Sequence, residues 1–312
     1  MDYYNVFGAE IGSEISLPLC AQSNNSPEAS LDILIRRSPA RIDKIFGGHE
    51  LSSPDGEVVA QIQKRGSDLV LEFIGLATFC LSEKTLWVDQ LATDLSSLEN
   101  TKALLLNQVL PMVLSLSSDL ILHASSVTDG VNGWAFVGIE GTGKSTLSGG
   151  LYARGFRLLS DDASRLRVTE ISTDVMAGVP EVRLFESAFS EIFPGKSLEE
   201  TTAVFRKRRL QTGRLLQNTS SKEISLKKLF CLNPSTSTER VSITPIGDRQ
   251  AFERILPCLF RFDLWDQTTR RREFEMLSQL VANVPAVEVN YPYDWKQLPK
   301  LLDLMDLEMR KS

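Results

Sequence analysis

The sequence predicts an α/β protein built around a phosphate-binding loop, with a smaller β-rich module ahead of it. Three observations lead there. GIEGTGKST, from Gly138 to Thr146, fits the pattern G-x-x-x-x-G-K-[ST]. Strands and helices intermingle after that stretch, and before about residue 95 the chain reads as short alternating strands joined by turns. The expected division is therefore 1–95 and 96–312. A chain of 312 residues has room for two domains, and 42% hydrophobic with 24% charged residues is ordinary for a soluble globular protein.

In the first module, Glu14–Leu19 alternates until Pro18 ends it, and residues 21–30 form a polar loop. Leu31–Arg37 is strand-like, and Val58–Lys64 alternates cleanly before the turn Arg65–Gly66–Ser67–Asp68. Asp68–Gly75, Ala77–Glu83 and Thr85–Leu91 continue the pattern. His49 reads as a solvated loop histidine, and no catalytic cluster stands out here. Ser96–Ser117 is leucine-rich and predicts a helix bent or ended at Pro111.

Several function classes are disfavoured. The net charge of −6 argues against a general nucleic-acid or anionic-membrane binder. The greasiest run, Ala103–Leu122, is interrupted by Asn107, Gln108, Pro111 and Asp119, too polar for a membrane span. Met1–Glu10 lacks the basic-then-apolar order of a signal peptide, so a cytoplasmic protein is expected. Cys20, Cys80, Cys231 and Cys258 show no C-x-x-C spacing, and His49 and His123 are the only histidines. Free thiols are expected rather than a zinc site.

The loop carries the chemistry. Leu120–Gly138 predicts two strands around a turn with Asp129–Gly130 and Asn132–Gly133, the second strand entering the loop. Ser145–Gly155 predicts the helix that leaves it. Glycines let consecutive N–H groups turn in around a phosphate, and the helix aims its positive end at the same anion. The cradle comprises Gly138, Glu140, Gly141, Thr142, Gly143, Lys144, Ser145 and Thr146. Lys144 reaches the β- and γ-phosphates of ATP, and the Ser145 hydroxyl is a ligand for Mg²⁺. The competing reading is a glycine-rich turn, which the strand–loop–helix context disfavours.

Phosphoryl transfer also needs a group that orients or deprotonates the acceptor. Phe156–Ser160 reads as a buried strand ending in Asp161–Asp162, so the chain returns a carboxylate pair toward the loop. One would take the substrate proton while the other holds Mg²⁺; an Asp-capped turn is the alternative. His123, in ILHASSV, would by itself be a core histidine. Further on, strands are expected around Ile224–Leu232 and Arg240–Ile246, and helices over 249–260 and 268–281. A strand, a turn and a terminal helix close the chain.

LHASSV, a short turn, FVGIEGTGKSTL and then GFRLLSDD together resemble the HPr kinase/phosphorylase C-terminal domain. They are similar also to its wider family of HPr-kinase-like proteins, which includes kinases of lasso-peptide precursors. The resemblance covers most of residues 120–190 and, more loosely, the two ends of the chain. It implies a P-loop kinase domain of the HPr kinase/PEP-carboxykinase-like type. It also implies Asp161 as general base, Asp162 supporting it or the metal, and His123 beside the phosphates, orienting Asp161. Glu181 and Arg183 match a family Glu-x-Arg element with a metal-side carboxylate. Leu184 and Phe185 stand where that family has glycines, a departure that bears on phosphorylase activity and on HPr as substrate.

The resulting expectation is an ATP- and Mg²⁺-dependent kinase acting on a hydroxyl, a serine of a peptide or protein. The alternatives are a small-molecule hydroxyl kinase, since GKST before a strand ending Asp-Asp also resembles shikimate-type kinases, and a nucleotide-sensing regulatory module. The basic run Arg206–Arg209 is a solvated loop by default, or a contact for phosphate or an acidic substrate. Arg270–Arg272 opens a helix on its wet face. The oligomeric state is open, a homo-oligomer included.

Overall fold

A computed structural model describes residues 1–19, 21–22, 30–52, 56–90, 95–195, 201–204, 207–212, 223–237, 240–263 and 265–311. It is a mixed α/β structure with a β-rich N-terminal region. Its contacts divide it into two compact units, Met1–Leu116 with Arg261–Asp266, and Ser117–Phe260 with Gln267–Ser312.

The first unit holds one eight-stranded sheet. It opens with an antiparallel hairpin of β1 (Asp2–Val6) and β2 (Ala9–Ser13). Phe7 and Gly8 turn it, both at positive φ, the geometry of a tight hairpin. This corrects the expected strand at Glu14–Leu19. There Ser13 Oγ bonds the Ile15 backbone and the Leu17 N–H donates to Tyr4 Oη, so the segment is a bend packed on β1. β3 (Ile33–Arg37) runs parallel to β2 and to β8 (Thr85–Gln90). β4 (His49–Ser52), β5 (Val58–Arg65), β6 (Asp68–Phe73) and β7 (Ala77–Ser82) complete the sheet in the order β1-β2-β3-β8-β7-β6-β5-β4. His49 is exposed, but it starts this edge strand and is not in a loop. The polar stretch 21–30 lies mostly outside the described residues.

The leucine-rich helix runs through α1 (Leu95–Leu104) and α2 (Leu110–Leu114) with a π-turn at Leu105–Val109 between them. Pro111 has no N–H to give to residue 107, and the wider turn absorbs the misfit. The helix thus continues past the proline.

In the second unit, β9 (Leu120–Leu122), β10 (Ala124–Thr128) and β11 (Asn132–Val137) lead into α3 (Lys144–Ala153). β12 (Arg157–Ser160), β13 (Ser164–Val168), β14 (Thr173–Met176), β15 (Glu181–Phe185) and α4 (Glu186–Ile192) follow. Then come β16 (Thr201–Val204), β17 (Lys207–Gln211), β18 (Glu223–Pro234), β19 (Ser242–Ile246), α5 (Asp248–Ile255), α6 (Gln267–Asn283), β20 (Ala286–Tyr291) and α7 (Leu298–Met309). The main sheet has the order β12-β10-β11-β18-β14-β13-β9, with β20 parallel to β18 and β19 beside β20. β15, β17 and β16 form a separate small sheet.

The inner stretches Trp134–Val137 of β11 and Leu229–Leu232 of β18 are apolar at consecutive positions because both their faces are covered. Trp134 and Phe136 of β11 pack with Leu147 and Leu151 of α3 and Leu302 and Met305 of α7. The alternate residues Ala135 and Val137 pack with Ala251 and Ile255 of α5 and Leu277 and Leu280 of α6. The sheet therefore lies between two helical layers. α3 meets α7 closely: a Cβ at Gly150 would stand 2.8 Å from Leu302 Cδ1. Arg270 and Arg271 lie exposed in the first turns of α6. Among the described residues no helix is long and apolar enough to cross a membrane.

Candidate active site

Strand register brings the expected site residues to one edge. β10 lies between β11 and β12, antiparallel to both. Its first residue, Ala124, pairs with Val137, the last of β11, and Ser126 pairs with Ser160, the last of β12. The loop after β11, the Asp161–Asp162 pair after β12 and His123 before β10 therefore leave the sheet at the same end.

The loop has the bends its glycines allow. Gly141 and Gly143 take φ of 82° and 85°. Thr142 bonds back to the Ile139 carbonyl through its hydroxyl at 2.9 Å. Buried Tyr291 donates its hydroxyl to the Thr142 carbonyl, tying the loop to the end of β20. Burial, with Tyr293 nearby, pushes the Tyr291 phenol well above its ordinary range, which keeps it a donor. Lys144 is 5% exposed, and its ammonium donates to the carbonyls of Gly138 (2.7 Å) and Ile139 (3.1 Å). Ser145 and Thr146 lie half-buried in the first turn of α3, and Glu140 is exposed.

The two aspartates differ in environment. Asp161 is 2% exposed; Oδ1 accepts from Ser125 Oγ at 2.5 Å and Oδ2 from the Arg183 N–H at 3.0 Å. Each carboxylate oxygen has a second lone pair left for an acceptor's proton. Asp162 takes φ of +65°, a left-handed conformation rare outside glycine, asparagine and aspartate. Its carboxylate pairs with the Arg183 guanidinium, and its carbonyl accepts from His123 Nδ1 at 2.8 Å. A carbonyl only accepts, so Nδ1 carries a proton. The ring stands edge-on to Phe260, and the His123 N–H donates to the Cys258 carbonyl at 2.6 Å. The Cys258 thiol is raised by burial, with Lys144 and the Gly138 backbone pulling the other way.

β15 supplies the rest. Val182 and Leu184 belong to the core formed with α3, and the intervening Glu181 and Arg183 share the other face. Glu181 is 2% exposed and lies 3.7 Å from Arg209 of β17, which is paired in register with Arg183. Burial pulls the Arg183 guanidinium down, the Asp161 charge pushes it up and Arg209 adds to the fall. It remains a cation, because a guanidinium keeps its proton in proteins. The basic run is not a solvated loop over Lys207–Arg209, which belong to strand β17, and Arg209 meets the buried Glu181 of β15. Arg206 and the side chains of Lys207 and Arg208 lie outside the described residues.

Among the described residues no group of three or more His, Cys, Asp or Glu is arranged as a metal cluster. Mg²⁺ does not require one, since it keeps several waters and takes one or two carboxylates with phosphate oxygens. Ser145 and Asp162 carry oxygen donors of the kind Mg²⁺ takes, and in this structure the Asp162 carboxylate is held by Arg183. Cys80, Cys231 and Cys258 are free thiols, and Cys20 lies outside the described residues.

Reading the sequence by itself missed the tie from Tyr291 to the loop and the pairing of Arg209 with Glu181. Alternate aromatics at Tyr291, Tyr293 and Trp295 were the available signal for the first; the second had none.

No family model matches the chain, and no curated protein does. Among solved structures it is similar to the Hpr(Ser) kinase/phosphatase from Coxiella burnetii over 61% of this chain and 93% of that one. The TM-score is 0.33 and the identity 10%. At that depth the likeness carries no functional argument.

Proposed function

We propose that this chain is an ATP-dependent kinase that transfers the γ-phosphate to a hydroxyl, the acceptor being a serine of a peptide or protein. The observation that carries the reading is the register of β10 with β11 and β12, which gathers the glycine loop, His123 and Asp161–Asp162 at one end of three adjacent strands. The motif resemblance to HPr-kinase-like proteins points the same way.

In this reading the loop N–H groups and the start of α3 bind the phosphates. Lys144 turns from its two carbonyls to the β- and γ-oxygens. Ser145, Asp162 and Glu181 would hold Mg²⁺, which when bound would neutralise phosphate charge. The acceptor oxygen bonds to the γ-phosphorus as the bond to the β–γ bridging oxygen breaks. The electron pair of that bond leaves with ADP, and the acceptor proton passes to Asp161. Ser125 and the Arg183 N–H fix that carboxylate in its burial. His123 holds the Asp162 carbonyl, and so the chain direction at Asp161.

The test is phosphate transfer from labelled ATP, with Mg²⁺, to candidate peptides and metabolites. Asp161→Asn is expected to lower kcat by about 100- to 10,000-fold with ATP affinity kept. Unchanged turnover would remove Asp161 from the role of base. Transfer to metabolites and never to peptides would favour a small-molecule kinase.

A further inference from the structure

A cavity of about 240 Å³ lies on the outer flank of the glycine loop. Gly141, Gly143 and Thr146 line one part of it, and Phe185, Tyr293 and Trp295 are among the other lining residues. Those three rings are 57%, 64% and 41% exposed, high for large aromatics. Single exposed rings are common, but three around one hollow mark a surface that takes an apolar partner.

The cavity's position selects the partner. In a loop of this type Lys144 and Ser145 face the β- and γ-phosphates and the metal, while the backbone cradles the α- and β-phosphates. Among the described residues the cavity walls include Thr146 but neither Lys144, Ser145 nor Asp161. It therefore opens on the side away from the transfer chemistry. A polyanion does not belong in it, since its walls are mainly apolar and include the carboxylate-bearing Asp294, whose Oδ1 accepts from the Lys296 N–H at 3.0 Å. A flat uncharged base does. Its volume is below the roughly 300–1,000 Å³ of drug-sized pockets, room for one base and its sugar and not for a peptide segment.

We propose that this cavity is a nucleoside subsite, in which the nucleobase lies against Tyr293 and Trp295 while its phosphates occupy the glycine loop. The inference rests on the kinase reading for the phosphate half alone. It adds where the base of that nucleotide is held, in the segment following β20, and that this segment sets the preference for ATP over inorganic polyphosphate.

Calorimetry with Mg²⁺, comparing ATP with inorganic tripolyphosphate, separates the two. The intact protein is expected to bind ATP about 10- to 100-fold more tightly, the range of one stacked base. Trp295→Ala is expected to remove about 5-fold or more of that advantage and leave tripolyphosphate affinity unchanged; Tyr293→Ala, which also removes a hydroxyl 3.5 Å from the Gly141 carbonyl of the loop, is expected to lower ATP affinity at least as much. Tyr293→Leu, which keeps an apolar surface at this exposed site, guards against a folding defect. Equal affinity of the intact protein for the two ligands overturns the subsite and spares the phosphate loop. Binding of neither ligand overturns the loop reading and the subsite with it. Variants that keep full ATP affinity but raise the KM for the acceptor overturn the subsite and give the cavity to the acceptor.

Discussion

Arg183 serves two carboxylates in different ways: its backbone N–H holds Asp161 and its guanidinium holds Asp162. All three groups are nearly out of water, so the pair is sensitive to loss of either partner. Arg183→Met is expected to destabilise the protein by about 3 kcal/mol or more, because it strands a buried carboxylate. The double change Arg183→Met with Asp162→Asn should recover much of that. Urea midpoints of the two singles and the double give the coupling; strictly additive losses would mean the ion pair carries no weight. Asp161 was legible as a candidate because it ends the strand that follows the loop and its helix, and His123 only through the family resemblance; each stands 15 residues from the motif Gly138–Thr146. Arg209 was not legible as a partner of Glu181, because only the pairing of β15 with β17 brings them together.

For whole elements, legibility followed how much of the signal was local. β5 shows a clean period of two with Ala60 and Ile62 fully buried, as its alternation predicts. The β1–β2 hairpin escaped because its turn is Phe7–Gly8 and not an Asn-Gly or Asp-Gly pair, and Pro18 drew the strand to the wrong side of Ser13. The helix after residue 95 outlasts Pro111 through its π-turn, an adjustment that proline alone does not announce. The contact of α3 with α7 offers a test of packing. Gly150→Ala gains helix propensity of about 1 kcal/mol but drives a methyl onto Leu302, which is buried among core neighbours. A net loss of about 1–3 kcal/mol is expected. Combining Gly150→Ala with Leu302→Ala should lose less than the two singles summed, as read from thermal midpoints. A stabilised single variant would show that the two helices can part.

For the molecule as a whole, the first unit is discontinuous: Arg261–Asp266 belongs with Met1–Leu116. Lys64 meets Asp263 at 2.6 Å, so a remote part of the chain closes this unit. Burial alone would raise the Asp263 carboxyl. The Lys64 ammonium and the N–H groups of Trp265 and Asp266 outweigh it and hold the carboxyl below its ordinary range. A carboxyl depressed in the folded state stabilises above its unfolded pKa, and that contribution disappears as pH falls through the folded value. Asp263→Asn is therefore expected to lower the urea midpoint at pH 7, and the gap to the parent protein should close on acidification below about pH 4. A gap that stays constant between pH 7 and pH 3 would sink the assignment. The outline of an N-terminal β-rich part ahead of an α/β part was readable from strand periodicity. The contribution of residues 261–266 was not, since nothing local marks them as part of the earlier sheet's unit.

The hairpin of β10 and β11, followed by α3 and β12, has a consequence for how such a protein diversifies. One unbroken run from His123 to Asp162 contains the glycine loop and both aspartates, with Arg183 and its strand as the nearest outside help. Insertions, losses or exchanges upstream of that run leave its internal spacing untouched. Descendants can therefore vary the upstream part without disturbing the spacing between the glycine loop and the aspartates.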